Sequence, residues 1–403
     1  MKTNKKYPLL MNAFNKKDLD SAIKVIRSKK ITMSNITFKF EKRFAKSIGA
    51  KYALMTNSGS SANLLAFSTL TNPLNTTKIK KGDEVIIPAL CWSTSLWPII
   101  QNNLKPIFVD IDIETLNINL NELKKKITKK TKAIMCIHVL GTSSNMVKLN
   151  KIANDNNIFL IEDTCESLGA KYKNKNLGTY GRFGTYSFYY SHQITSGEGG
   201  MIVCNDKKDY EIIKTLRSHG WSRDTSFNKI FKKKYKKLDN RFLFVGPGYN
   251  LRPTDIQAAI ANSQFSRLNN FMKIRNYNRN RIISALFKNP KWSNQFSFIK
   301  INKEIKPSWF GLPMIVNKKF SKVKNNFLNY LSYCGIENRP IISGNFLNQP
   351  ASKLYKFKFD SKLYKNSQTI EERGFFIGLH TQKITNMQTN YLTNKLLKID
   401  DFI

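Results

Sequence analysis

Short β-branched runs alternate with helix-length patterns of polar and apolar residues from about residue 40 to residue 205. Such alternation is typical of a mostly parallel sheet covered by helices, because each strand is buried beneath the helix that follows it. The pattern therefore predicts a large α/β domain with seven strands. They are Tyr52–Thr56, Glu84–Pro88, Pro106–Asp110, Ala133–His138, Phe159–Asp163, Thr185–Tyr189 and Met201–Asn205.

The pattern changes in the second half of the chain. A long helical stretch, Thr254–Leu286, follows the turn-rich segment Val245–Asn250. Beyond residue 290, shorter strands such as Trp309–Val316 alternate with a helical stretch at Lys322–Cys334, which is typical of a smaller α+β domain. We therefore expect a large domain over residues 1–265, including an N-terminal arm, and a small C-terminal domain over residues 266–403.

Composition narrows the class of protein. The chain has 403 residues, of which 41% are hydrophobic, and this is enough to bury the cores of two domains. The net charge of +40 comes from lysines spread through every segment, so we do not expect a nucleic acid partner. The densest run, at residues 231–237, reads as a solvated loop. A diffuse positive field would still attract a substrate that carries a diphosphate.

The start of the chain and its cysteines bear on location. No apolar run reaches the roughly 18 residues needed to cross a bilayer, and no hydrophobic signal segment follows the first six residues. We expect a cytoplasmic protein that does not bind membranes. The five cysteines lie far apart in apolar stretches, which predicts reduced, buried thiols rather than a metal site.

Two strand ends carry candidate binding residues. The stretch from Thr56 to Asn63 ends a strand and opens a helix, where free backbone N–H groups can bind phosphate, although such junctions are also common without a ligand. Asp163 ends another strand at the edge of the sheet where open α/β folds collect ligands. It either keeps a pyridine nitrogen protonated or caps the next helix. Trp92 either lies on a flat ring or packs in the core.

Taken in order, five segments resemble the DegT/StrS-type family of nucleotide-sugar aminotransferases and dehydratases. They are Ser58–Ala62, Glu162–Asp163, Ser187–Phe188, Gly197–Gly200 and Gly248–Arg252. That family has the aspartate-aminotransferase fold. The resemblance therefore implies the PLP-dependent transferase fold type I, with a large, mostly parallel seven-stranded sheet, and pyridoxal 5′-phosphate or pyridoxamine 5′-phosphate as the cofactor.

The resemblance also implies roles for individual residues. The cofactor phosphate would be held by Gly59, Ser60 and Ser61, with help from the hydroxyl of Ser187. Trp92 would stack on the ring and Asp163 would pair with its nitrogen. Glu166 stands where aminotransferases use an amide or a histidine near the ring hydroxyl, and a carboxylate there matches the dehydratases better. Asn250 would reach the phosphate in a partner subunit, which implies a homodimer with shared active sites.

His192 stands five residues before Gly197, where the family has the lysine that forms a Schiff base with the cofactor. Histidine at this position marks the branch that includes the CDP-4-keto-6-deoxyglucose 3-dehydrases and the GDP-4-keto-6-deoxymannose 3-dehydratases. An imidazole, with an unperturbed pKa of about 6.5, can accept and return a proton near neutral pH. The resemblance thus implies 3-dehydration of a nucleotide-linked 4-keto-6-deoxy sugar in deoxysugar or lipopolysaccharide O-antigen biosynthesis, with His192 as acid and base and Asp163 as the second catalytic residue.

Other residues bear on a second cofactor, the amino donor and the sugar substrate of the reaction. Some members of the branch carry an iron–sulfur cluster on grouped cysteines, but no cysteine lies between Arg217 and Arg241, so we do not expect a cluster. The cluster-free members take an amino group from glutamate, while others need a separate reductase. Candidates for contacts with the sugar nucleotide, each of which could equally be structural, are His219, Trp309, Arg339 and Asn345.

Two alternative functions stay open at this stage. The chain could be a pyridoxal phosphate-dependent sugar aminotransferase whose lysine lies elsewhere, and labelling of one lysine by the cofactor would then be expected. It could also be a non-catalytic, cofactor-binding regulatory protein. The presence of Asp163, Ser187 and the phosphate turn argues against that second alternative.

Overall fold

The strands of the described part of the chain fall into three sheets. The structure, a computed structural model, describes residues 6–76 and 79–403. The strands found there are β1 (Tyr52–Thr56), β2 (Glu84–Pro88), β3 (Lys105–Val109), β4 (Thr131–Ile137), β5 (Phe159–Asp163), β6 (Lys171–Tyr172), β7 (Lys175–Asn176), β8 (Phe183–Ser187), β9 (Gly200–Cys204), β10 (Phe296–Ser297), β11 (Ile305–Lys306), β12 (Gly311–Val316), β13 (Asn338–Arg339) and β14 (Gly374–Gly378).

Helices cover these sheets and connect their strands. In chain order the α-helices are α1 (Lys16–Arg27), α2 (Asn35–Ile48), α3 (Gly59–Leu70), α4 (Ser93–Gln101), α5 (Leu120–Lys126), α6 (Met146–Asp155), α7 (Lys207–Arg217), α8 (Ser226–Lys234), α9 (Asp255–Phe265), α10 (Leu268–Phe287), α11 (Lys324–Tyr333), α12 (Pro350–Leu354), α13 (Lys365–Arg373) and α14 (Asn386–Leu396).

The large sheet has the order β1-β9-β8-β5-β4-β2-β3. The pairs among β3, β2, β4, β5 and β8 are parallel, whereas β9 runs antiparallel to both of its neighbours, β1 and β8. All seven predicted strands are present, each within two residues of its expected bounds. The mostly parallel α/β architecture predicted from the sequence is therefore confirmed.

Two helical predictions need correction. The stretch expected as one helix from Thr254 to Leu286 divides into α9 and α10, and the break falls at residues 266–267. At this break Arg267 forms an ion pair with Asp18 of α1, in which Nη2 lies 2.5 Å and 2.6 Å from the two carboxylate oxygens. The lysine-rich run at residues 231–237, expected as a loop, begins inside α8, and its lysines are exposed as predicted.

The C-terminal part contains a four-stranded antiparallel sheet of order β10-β12-β14-β13. The arm before α1 packs against this part of the molecule, because Tyr7 exchanges backbone hydrogen bonds of 2.9 Å with Gly335 and Glu337. The Tyr7 hydroxyl also donates to the carbonyl of Gly378 at 3.1 Å. The division of the chain at residue 265 stays a prediction, but the described part of the arm lies on the smaller sheet.

Among the described residues, the structure also shows the state of the cysteines and whether a metal cluster or a membrane-spanning helix is present. The five cysteines are all free, and Cys165 and Cys334 are only partly buried. No cluster of three or more histidine, cysteine or acidic side chains there is arranged to hold a metal ion. Nor does that part of the chain contain a helix that is long and apolar enough to span a bilayer.

Candidate active site

A cavity of about 550 Å³ opens at the carboxyl ends of the parallel strands. Strands β4, β5 and β8 lead into its floor through His138, Asp163 and Ser187. The lining also includes Phe310, Arg339 and Phe376 of the C-terminal part and Leu9 of the N-terminal arm. Residues from distant parts of the chain therefore meet at the edge of the sheet where this architecture commonly binds ligands.

One end of the cavity is formed by the start of α3. The side chain of Ser58 caps this helix by accepting a hydrogen bond from the backbone N–H of Ser61 at 3.1 Å. A Cβ atom at Gly59 would lie 2.6 Å from the Cβ of Ser187, so glycine is needed for the turn to approach β8 this closely. Free N–H groups in the first turn of a helix attract a phosphate, and Ser60 lines the cavity beside them.

Asp163 is a buried carboxylate on the floor of the cavity. Its Oδ2 atom accepts hydrogen bonds from Asn63 Nδ2 at 2.8 Å and from Ser95 Oγ at 2.7 Å. Its Oδ1 atom accepts one from the backbone N–H of Cys165 at 3.1 Å. The structure gives Asp163 no cationic partner among the described residues, so the carboxyl group can pair with a cationic group of a ligand in the cavity.

Glu166 lines the same cavity, next to Asp163. Its Oε2 atom accepts a hydrogen bond from the backbone N–H of Leu140 at 3.0 Å. Burial, reinforced by the charge of Asp163 and opposed by the Leu140 N–H, raises the pKa of Glu166 to about 7. The carboxyl can therefore hold a proton near neutral pH and donate a hydrogen bond to an oxygen of a ligand.

His192 also lines the cavity, and its imidazole contacts two aromatic rings. The centroid of the ring of Phe310 is 5.0 Å away and that of Tyr189 is 5.9 Å away, both nearly perpendicular to the imidazole. The Nδ1 atom is buried and meets no hydrogen-bond partner in the described chain. Burial, with a smaller contribution from Arg275, lowers the pKa of His192 to about 3, so the imidazole is neutral at physiological pH.

These residues fit a pyridoxal or pyridoxamine phosphate. Helix N–H groups stand ready for a phosphate at one end, the Asp163 carboxylate lies free for a ring nitrogen, and Trp92 at the cavity edge is 56% exposed, as a side chain that covers a flat ligand would be. Among the described residues no lysine lines the cavity. The structure thus offers non-covalent contacts to such a cofactor, without an amine to bind it covalently.

The structure brings most of the predicted site residues together. Those that line the cavity are Gly59, Ser60, Trp92, Asp163, Glu166, Ser187, His192 and Arg339. Ser61 lies just behind it, where its hydroxyl donates to Asn57 Oδ1 at 2.6 Å. Asn250 and His219 are exposed elsewhere, and both contact Arg252.

Two predicted substrate contacts lie outside the cavity lining. Trp309 is fully buried, with the guanidinium of Arg279 4.4 Å from the centre of its ring. Asn345 is also buried, and its side chain caps a short turn by accepting a hydrogen bond from the N–H of Leu347 at 3.2 Å. In this structure both side chains serve packing and turn geometry.

Sequence reasoning missed several residues of the site. Asn63 and Ser95 bind the carboxylate of Asp163, and His138 reaches the cavity with its Nε2 3.0 Å from Glu162. Asn63 is a buried amide followed directly by the apolar residues Leu64 to Phe67 of α3, and that contrast was a signal that could have identified it. Leu9 gave no such signal, because only the packing of the arm brings it to the cavity.

Known proteins are similar to this chain in both sequence and fold. Residues 12–396 match the DegT/DnrJ/EryC1/StrS aminotransferase family. The chain is 37% identical over 378 residues to GDP-4-keto-6-deoxy-D-mannose 3-dehydratase of Escherichia coli O55:H7, covering 93% of this chain and 95% of that protein.

Solved structures of GDP-4-keto-6-deoxymannose-3-dehydratase are also similar to this chain. A mutant GDP-4-keto-6-deoxymannose-3-dehydratase with bound GDP-perosamine is similar with a TM-score of 0.87 and 35% identity, covering 97% of this chain and 100% of the other. A structure of GDP-4-keto-6-deoxymannose-3-dehydratase with a trapped PLP-glutamate geminal diamine has a TM-score of 0.85 at 35% identity, with the same coverage of both chains.

Proposed function

The chain belongs to the DegT/DnrJ/EryC1/StrS aminotransferase family, and we propose that it catalyses the pyridoxamine phosphate-dependent 3-dehydration of a nucleotide-linked 4-keto-6-deoxy sugar. The observation that carries this proposal is the neutral imidazole of His192 in a cavity that no lysine of the described residues lines. The similarity to GDP-4-keto-6-deoxy-D-mannose 3-dehydratase makes GDP-4-keto-6-deoxymannose the first substrate to test. The product belongs to deoxysugar and lipopolysaccharide biosynthesis.

The chain's own residues hold the cofactor without a covalent bond. When bound, pyridoxamine phosphate supplies an amine that reacts with the 4-ketone and a ring that withdraws electrons. The first turn of α3 and the hydroxyl of Ser187 would receive its phosphate, and Trp92 would cover its ring. Asp163 would pair with the ring nitrogen and keep that nitrogen protonated.

His192 moves the proton that the reaction requires. Because its imidazole is neutral, it would be able to accept the proton that the bound cofactor and sugar must release. The protonated imidazole is then disfavoured by its buried surroundings and by Arg275, so it gives that proton readily to the departing hydroxyl at carbon 3 of the sugar. Glu166, which can hold a proton near pH 7, would donate a hydrogen bond to an oxygen of the cofactor ring.

We also propose that the protein acts as a homodimer, in which Asn250 contributes to the cavity of the partner subunit. Within its own protomer Asn250 is exposed and lies away from the cavity lining. The aromatic side chains of Phe242 and Phe244, a few residues before it, are more than half exposed. Exposed aromatic residues of this kind are enriched where two proteins meet.

A test of the shared site mixes two inactive variants. Co-expressed His192→Asn and Asn250→Ala chains would form mixed dimers with one intact site, and random pairing restores about a quarter of the wild-type activity. Each variant alone serves as the control. Complete inactivity of the mixed dimers would contradict the proposal.

We place the enzyme in the cytoplasm, where its five free thiols stay reduced.

The first experiment on the reaction treats the purified protein with pyridoxal phosphate and borohydride and then maps labelled peptides by mass spectrometry. We expect no specific lysine adduct, together with tight binding of pyridoxamine phosphate. The same preparation, given pyridoxamine phosphate, glutamate and GDP-4-keto-6-deoxymannose, should release a 3-deoxy sugar. Stoichiometric labelling of one lysine, without dehydration, would favour a sugar aminotransferase instead. Cofactor binding without turnover of any keto sugar would favour a regulatory protein.

A further inference from the structure

Two buried polar side chains that were not among the predicted site residues bind the carboxyl group of Asp163, and a third supports one of them. Asn63 and Ser95 donate to its Oδ2 atom at 2.8 Å and 2.7 Å. Thr185 donates in turn to Asn63 Oδ1 at 2.6 Å. Asn63, Ser95 and Thr185 are each at most 1% exposed, so these hydrogen bonds form away from water.

The surrounding acceptors determine how the amide of Asn63 is oriented. On one side it faces two acceptors, Asp163 Oδ2 and the carbonyl of Thr94 at 3.3 Å, so the donating Nδ2 must lie there. The amide oxygen then lies on the other side, where the Thr185 hydroxyl donates to it. Removing that hydroxyl would leave the amide oxygen buried without a donor and loosen its contact with Asp163.

The same contacts decide which lone pair of Asp163 is left for a ligand. Oδ2 accepts two hydrogen bonds from side chains and Oδ1 accepts one from the backbone N–H of Cys165. These three donors fix the orientation of the carboxyl group without supplying a positive charge. Oδ1 therefore accepts fewer of these hydrogen bonds than Oδ2 and has more capacity left for a donor from a ligand at the floor of the cavity.

We propose that Asn63, Ser95 and Thr185 are positioning residues, which fix the carboxyl group of Asp163 and turn its Oδ1 atom toward the ring nitrogen of the cofactor. This inference rests on the proposed cofactor site. Asn63 belongs to α3, whose first turn faces the phosphate end, and Ser95 belongs to α4, which begins directly after Trp92. The same two helices therefore set the distance between the phosphate contacts, the ring contact and the carboxylate.

The test compares variants that change one hydroxyl each. Thr185→Val removes the donor to Asn63 with little change of shape, and Thr185→Ser keeps it. Thr69→Val is the matched control, because Thr69 is an equally buried threonine of α3 whose hydroxyl donates to a backbone carbonyl, that of Leu65, outside these contacts. Ser95→Ala removes a direct donor to Asp163. The measurements are the Kd of pyridoxamine phosphate by equilibrium dialysis and the pH dependence of its bound absorbance, which reports protonation of the ring.

We expect Ser95→Ala to weaken binding about tenfold and Thr185→Val several-fold, since each loses a hydrogen bond in contact with a charged group or its support. Loss of ring protonation should begin at lower pH in both variants. Thr185→Ser and Thr69→Val should behave as the wild type. A wild-type Kd and a wild-type pH profile in Thr185→Val and Ser95→Ala would overturn the inference.

Dehydration is assayed separately, so the two proposals can fail independently. Weakened cofactor binding in these variants would support the positioning role even if no keto sugar were dehydrated. Wild-type protein that does not bind pyridoxamine phosphate would overturn both proposals. If Ser95→Ala does not fold, the comparison of Thr185→Val with Thr185→Ser and Thr69→Val decides the question, with the melting temperature of the cofactor-free protein as the folding control.

Discussion

The imidazole of His192 packs against the phenyl ring of Phe310, with the ring centroids 5.0 Å apart and the ring planes at 80°. On another side it meets Tyr189, and Arg275 Nη2 donates to the carbonyl of His192 at 3.2 Å. An imidazolium in these surroundings would lose its hydration and lie near a fixed positive charge. The aromatic wall therefore keeps the candidate base neutral.

Replacing Phe310 by alanine should raise the pKa of His192 toward its ordinary value of 6.5, by about one unit or more, because water would reach the ring. The chain has four histidines, so imidazole proton signals can be followed by NMR across pH, and His192→Asn identifies the signal that belongs to His192. Phe38→Ala, at an exposed phenylalanine of α2, is the control. An unchanged titration in Phe310→Ala would show that the wall does not set this pKa.

His192→Lys should create a protein that binds pyridoxal phosphate covalently and no longer dehydrates the sugar. The amine would stand in the cavity where the imidazole stands now, and burial would favour its neutral, nucleophilic form. Borohydride reduction followed by peptide mass spectrometry would locate the adduct at position 192. His192→Asn should bind pyridoxamine phosphate and perform no dehydration, and retained turnover in that variant would exclude His192 as the base.

Glu166 should make the stability of the cofactor-free protein depend on pH. Its pKa is raised from 4.5 to about 7 in the folded protein, so the stabilisation that it contributes is full below pH 4.5 and is lost as the pH rises through 7. Glu166→Gln removes this loss. Relative to the wild type, the variant should gain on the order of 2 kcal/mol in free energy of unfolding between pH 5 and pH 8. Urea unfolding at both pH values measures the free energy of unfolding. An equal change of this free energy between the two pH values in the wild type and in Glu166→Gln would contradict the prediction.

Gly59→Ala should weaken cofactor binding at the phosphate end. The new methyl group would lie 2.6 Å from Ser187 Cβ and 2.9 Å from Cys165 Sγ, so the start of α3 would have to move away from β8. We expect a loss of pyridoxamine phosphate affinity of about tenfold or more and a stability cost of about 1–3 kcal/mol. Gly246→Ala is the control, because its nearest neighbouring atom lies 4.0 Å away. Equal affinities in the two variants would argue against a phosphate contact at this turn.

The pattern of apolar residues determined the strands of the large sheet and most of the cavity floor. A strand that is buried on both faces needs a continuous apolar run, and this signal is local in the chain. Polar residues that end such runs, among them Asp163 and Ser187, must then lie at the carboxyl edge of the sheet. The contrast between His192 and an expected lysine was also visible without a structure.

Tertiary structure alone decided which distant residues meet. Three features depend on packing between segments that lie far apart in the chain. They are the antiparallel position of β9 between β1 and β8, the position of Leu9 in the cavity lining and the burial of Trp309 against Arg279. The same holds for Asn63 and Ser95, which lie 100 and 68 positions from Asp163 yet bind the same oxygen atom. Local sequence determines which residues a strand buries, but the partners of a buried carboxylate follow from the geometry of the whole fold.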